Sequence, residues 1–237
     1  MKTLLLIGMG SGNPQQITVQ AIEALNRTSV FFVLDKGKTT DDLVRLRLEI
    51  CERYIREPAY RVVQVSDPQR DSATPSYIQG VEDWHELRAE VFARLIEDEL
   101  GEGECGAFLL WGEPALYDST LRILQRVRAN GCSGFDYEVI PGISSVQALA
   151  ARHRVALNDI GQPIRITTGR RLVAEDLDNV VVMLDAHCAF QAFVHEDLDI
   201  YWGAYIGTAD EILIAGKLAD VSQQIRHARE AARLRKG

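Results

Sequence analysis

The 237 residues, 46% hydrophobic and 25% charged, suffice for one large α/β domain or two small ones, each with its own buried core. A formal net charge of −8 and an isoelectric point near 5.2 argue against a general binder of nucleic acid or anionic membrane, which needs surplus Lys and Arg to neutralise phosphate, and leave a small molecule as the expected ligand. Cys51, Cys105, Cys132 and Cys188 form no CxxC pair, and with no recognisable leader or bilayer-length apolar run the expectation is a soluble, cytoplasmic protein with reduced thiols.

In chain order, short aliphatic and β-branched runs alternate with amphipathic stretches, the pattern of crossover units and a largely parallel sheet. TLLLIG, SVFFVL, RVVQVS and GAFLLW are the expected strands of the first half, with helices near 15–27, 40–56 and 76–100 between them. Gly112 and Pro114 then interrupt the chain, and Asp118 or Ser119 is the expected N-cap of the next helix. The second half is expected to repeat this logic. Its strands are DYEVI, IRITT, VVVML, DIYWGAYI and EILIAG, with helices after Asp118, after Ser144 and from Leu218 onward. The expected division is an N-terminal α/β domain over 1–115 and a C-terminal α/β domain over 116–237.

The first strand runs into GMGSGNP, a turn able to bring bare backbone close to a ligand. Gly8, Gly10 and Gly12 fall short of the dinucleotide fingerprint, whose third glycine would stand where Asn13 is, and Pro14 breaks the way into the helix. Asp35 does end the next strand, so a nicotinamide-dinucleotide oxidoreductase stays open as an alternative, beside a plain strand-to-helix turn without ligand. LLWGEPALYDST and EVIPGISSVQALAA place two further small-residue turns at strand ends, which suggests one shared crevice.

Gly8–Thr18, Trp111–Tyr117, Val139–Ala148, Val181–Leu184 and Gly207–Leu218 together resemble the tetrapyrrole (precorrin/uroporphyrinogen III) methylases that use S-adenosylmethionine. The resemblance implies two α/β domains of the tetrapyrrole methylase type with the cofactor in the cleft between them, and a homodimer. Carried over by position, it implies cofactor contacts at Gly10, Ser11, Trp111, Gly112, Glu113, Leu116, Tyr117, Ser144, Ser145, Met183, Leu184 and Tyr201. Ser11, Asn13 and Glu113 depart from the family's usual residues, and the chain stops at AREAARLRKG without the strand that often helps cover the adenine. A narrower likeness, in ALNRTSVFFVLDKG, RDSATPSYIQGVEDWHELRAE, LLWGEPALYDSTLRIL and VIPGISSVQALAARHRVALNDIG, implies C1 methylation of precorrin-5 with release of acetate, giving precorrin-6A and S-adenosylhomocysteine. Methylation at C11 or C20 of another precorrin is the alternative within the family.

Methyl transfer from a sulfonium asks mainly for alignment in an apolar pocket, with no metal or covalent residue. Deacylation needs a proton acceptor, for which Asp35 and Glu113 are the candidates. Asp35 can equally cap the turn DKG, and Glu113 can hydrogen-bond its own loop. His85 is a candidate donor or proton shuttle, or else an ordinary helix residue. Arg45, Arg47, Arg53, Arg56, Arg61 and Arg70 concentrate positive charge in an acidic chain, and Arg70, Arg45 and Arg53 are the expected contacts to substrate carboxylates. On the helix, Arg45, Glu49 and Arg53 also read as a solvated i,i+4 ladder. His187 and His195 match no common zinc spacing.

Overall fold

The computed structural model describes residues 1–35, 41–57, 59–71, 74, 76–174 and 177–236. They divide into two compact units, Met1–Ser144 and Ser145–Gly237.

The first unit is a five-stranded parallel sheet of β1 (Lys2–Gly8), β2 (Val30–Asp35), β3 (Arg61–Ser66), β4 (Cys105–Leu110) and β5 (Phe135–Ile140), in the order β3-β2-β4-β1-β5. The connections are α1 (Val19–Arg27), α2 (Asp41–Tyr54), α3 (Tyr77–Glu99) and α4 (Thr120–Ala129). Strand alternation assigns the two faces. Leu4 and Leu6 point with Phe32 and Phe108 into a core shared with Phe92, Leu95 and Ile96 of α3 and Ile123 and Leu124 of α4. Leu5 and Ile7 point the other way, onto Ala21, Ala24 and Leu25 of α1 and Ile50 of α2. Four consecutive residues of β1 are thus fully buried, each contributing about 1.5–3 kcal/mol of apolar transfer, which explains why this strand reads as a continuous apolar run.

The second unit holds β6 (Arg165–Thr168) paired in parallel with β7 (Val180–Met183), an antiparallel hairpin of β8 (Asp199–Ala204) and β9 (Ile212–Lys217), and helices α5 (Ser145–His153) and α6 (Leu218–Lys236). Each expected strand and helix is present. Two expectations about their grouping are not met. The units divide after Ser144, later than residue 115, because β5 returns to the first sheet beside β1. Nor does the second half repeat the parallel logic throughout: only a short turn joins β8 to β9, and strands so joined must run antiparallel.

Candidate active site

The register aligns the C-terminal ends of β1, β4 and β5, with Gly8 opposite Leu110 and Ile7 opposite Ile140. The chain reverses its lateral direction here, the place where an open parallel sheet opens a crevice. The three turns leaving these strands meet. Gly10 and Gly112 exchange backbone hydrogen bonds of 3.2 and 2.9 Å, an isolated antiparallel bridge that ties the turn after β1 to the turn after β4. A Cβ on Gly8 would stand 2.6 Å from the Gly142 nitrogen, and one on Gly142 would collide with the Gly112 carbonyl oxygen, so neither position admits a side chain. Gly112 itself, at φ +69°, borders open space. Backbone therefore faces open space at Gly112, a surface suited to a ligand that must approach closely.

Polar side chains brace these turns. Glu113 accepts the Ala115 N–H through Oε1 and the Gly142 N–H through Oε2, both at 2.8 Å, and so ties the β4 turn to the β5 turn. Ser11, 3% exposed, donates to Gln16 Oε1 at 2.8 Å. Asn13 caps a short 3-10 turn at Pro14–Gln16, and Thr18 separately caps α1 by accepting from Ala21 N–H at 3.0 Å. The helix therefore starts well beyond the glycines and satisfies its own first turn. Ser144 is buried, whereas Leu116 is half-buried and Tyr117, at φ 53°, is exposed.

Topology also weighs on the dinucleotide alternative. A ribose-reading acid belongs on the strand adjacent to β1, yet here β4 lies between β1 and β2. Asp35, at the end of β2, is displaced by two strand spacings, about 10 Å, and its Oδ2 accepts from Gln64 Nε2 at 3.0 Å. Lys36 and Gly37 of the turn expected after it lie outside the described residues.

Beyond the ends of β2 and β4 lies a cleft of about 440 Å³, also within the first unit. Phe32, Phe92 and Phe108 form its apolar floor, the last two stacked at 4.3 Å. Arg47, Arg70, Arg88 and Arg122 line it, with Asp118 the acidic lining residue. Arg88 is the most constrained of the four. Its Nε lies 2.8 Å from Asp67 Oδ1, and the two side chains are 9% and 4% exposed. The guanidinium also lies 4.6 Å over the Trp84 ring, whose Nε1–H donates to Pro68 O at 2.7 Å. Burial pulls the Arg88 pKa down, opposed by the charges of Asp67 and Asp118. Arg47 donates to Leu109 O at 3.2 Å, and burial lowers its pKa too. Arg70 stacks 5.1 Å over Tyr77.

Of the expected substrate contacts, Arg70 lines this cleft while Arg45 and Arg53 stand exposed on α2, with Arg53 against the Tyr54 ring. His85 is buried rather than partly exposed. Burial, then the charges of Arg88 and Arg122, lower its pKa. Trp111 belongs both to the β4 turn and to the cleft wall, as does Tyr117. Arg88, Arg122 and Asp67 are not singled out by the sequence; the i,i+4 spacing of Trp84 and Arg88 is the available signal. In the second unit, Ser145 opens α5 and Met183 ends β7. Leu184 follows at φ 52°, 63% exposed, and Tyr201 on β8 meets His153 edge-on at 5.5 Å. Among the described residues no three His, Cys, Asp or Glu side chains gather as a metal site.

Comparison with known proteins agrees with this architecture. The chain is 48% identical, over 240 aligned positions covering all of it and 92% of the relative, to precorrin-6A synthase [deacetylating] of Sinorhizobium sp.. A crystal structure of a cobalamin synthesis related protein (CobF) from Corynebacterium diphtheriae superposes with a TM-score of 0.85 at 35% identity, covering 100% of this chain and 94% of that one. Uroporphyrin-III C-methyltransferase from Thermus thermophilus, solved with S-adenosylhomocysteine, shares the fold at a TM-score of 0.56 and 16% identity, over 94% of this chain and 86% of that one. The family model for tetrapyrrole (corrin/porphyrin) methylases matches residues 3–222, and this chain belongs to that family of methyltransferases.

Proposed function

We propose that the protein transfers the methyl group of S-adenosylmethionine to C1 of precorrin-5 and releases acetate, giving precorrin-6A and S-adenosylhomocysteine. The observation that carries this reading is the adjacency of a glycine-built backbone surface, open at Gly112, and an arginine-lined cleft, joined by the single segment from Trp111 to Asp118. The full-length likeness to a precorrin-6A synthase narrows the choice among methylases. Bound at the turns, the donor supplies an already activated methyl electrophile. The protein's task is then to hold it in line with a carbon nucleophile, which asks for shape more than for acid or base. Gly10, Ser11, Gly112, Leu116 and Ser144 are the proposed donor contacts of the first unit. In a chain of net charge −8, four guanidiniums around one cleft suit a substrate bearing many carboxylates.

The test is anaerobic incubation with precorrin-5 and S-adenosylmethionine, followed by mass spectrometry and acetate determination. One methyl gained per acetate released is the expected result. Methylation of precorrin-4 or precorrin-2 without acetate would replace it with the C11 or C20 reaction. A cytoplasmic homodimer completes the proposal, and light scattering of the purified protein checks the stoichiometry.

A further inference from the structure

The proposed reaction contains a hydrolytic half that the methyl donor cannot perform, and the cleft holds a group placed for it. Asp118 lines the cleft among the four arginines, at the far end of the segment that begins beside the proposed donor site. Its Oδ1 accepts the Thr120 N–H at 2.7 Å, which fixes the carboxylate at the start of α4. The Arg88 guanidinium feels its charge, and Arg88 is itself anchored by Asp67. The two acids expected from sequence are engaged otherwise. Both Glu113 oxygens bind backbone N–H groups of the turns, and Asp35 is not among the residues lining the cleft.

We propose that Asp118 is the general base of acetate release, an assignment that rests on the reaction proposed above. Asp118 takes a proton from water as the water oxygen bonds to the acyl carbon, and the resulting oxyanion forms beside Arg88. Collapse re-forms the carbonyl and breaks the bond between the acyl carbon and C1. Acetic acid leaves with the water oxygen, and the bonding pair stays on C1, delocalised into the macrocycle. That pair attacks the sulfonium methyl carbon, the C–S pair returns to sulfur, and Asp118 passes its proton to solvent. No oxidant or reductant is needed. Deacylation thereby generates the nucleophile for methylation, so losing one product entails losing the other.

The Asp118→Asn variant keeps an oxygen acceptor for Thr120 N–H and removes the base. Single turnovers with precorrin-5 and methyl-labelled donor are expected to show acetate and methylated product falling together by about 10²–10⁴-fold, with S-adenosylhomocysteine affinity by calorimetry unchanged. Asp118→Glu, which retains a carboxylate, is expected to recover part of the rate. Acetate release by Asp118→Asn within about tenfold of wild type would overturn the assignment while leaving the reaction standing. A wild-type protein that methylates precorrin-5 without releasing acetate would overturn the reaction, and the base with it.

Discussion

Where Gly8, Gly112 and Gly142 meet, the protein presents bare backbone, whereas over the ends of β2 and β4 it presents guanidinium groups and aromatic rings. The first region works by what is missing: the absent Cβ atoms of Gly8 and Gly142 let one turn lie on another, and Gly112 holds the positive φ that turns its carbonyl there. The second works by what is added, because Arg88 is held in place by Asp67 and Trp84 rather than by its own backbone. The difference teaches how each region fails. A surface of amides is broken by one added carbon, while a surface of buried charges is broken by loss of a partner.

Breaking the charged region should cost most. Arg88→Ala leaves the Asp67 carboxylate, 4% exposed, without its cation, and removal of one partner from a buried pair costs about 3–5 kcal/mol. Urea unfolding is expected to show that loss. Joint replacement with Arg88→Met and Asp67→Leu should recover most of it while abolishing substrate binding. A double variant as unstable as Arg88→Ala would mean that packing, not charge, holds this corner. The backbone region responds to less. Gly142→Ala drives a methyl group into the Gly112 carbonyl, an overpacking of about 1–3 kcal/mol, and is expected to eliminate S-adenosylhomocysteine binding in calorimetry with the cleft intact. Normal donor affinity in that variant would show that the turns part without consequence.

The same contrast governs what is legible in the sequence. Glycine turns are legible because few residues tolerate such contacts, so Gly8–Gly12 and Trp111–Pro114 stand out from the residue order alone. The strands are legible because burial on both faces leaves only aliphatic choices, as in Leu4–Ile7. Side-chain convergence is less visible. Arg45 and Arg47 are two residues apart on one helix, and only the second reaches the Leu109 carbonyl, a distinction that rests on the phase of the helix against the sheet. Asp67 and Arg88 are separated by a loop and the first half of α3, so residue order alone does not bring them together. The β8–β9 hairpin is a missed inference rather than an invisible one, since no helix-length segment separates the two strands.

Glu113 ties the two turns together, and its removal should have an intermediate effect. Glu113→Ala leaves the part-buried Gly142 N–H and the exposed Ala115 N–H without that acceptor, a loss of about 0.5–1.5 kcal/mol in which water replaces much of the second bond. Glu113→Gln retains one carbonyl acceptor and should lose less, which thermal melts with and without S-adenosylhomocysteine will measure. If the alanine variant binds donor as wild type does, the bond to Gly142 is not what sets the turn.

The smallest effect belongs to His85, and it sharpens the comparison because protons reach only one of the two regions through it. Its folded pKa lies below the ordinary value of 6.5, first because it is buried and then because Arg88 and Arg122 oppose a third positive charge. Below about pH 6.5 the unfolded chain takes up a proton that the folded chain resists. Stability therefore falls as pH drops from about 6.5 toward the lowered folded value, by at most about 1.4 kcal/mol per pH unit, and this term is flat outside that window. Above pH 6.5 both states are neutral at this site and the penalty vanishes. His85→Gln is expected to lose this slope in urea midpoints measured across the window, whatever its absolute stability. If the wild-type slope persists undiminished in that variant, the proton is taken up elsewhere and His85 is not the group that links the charged region to pH.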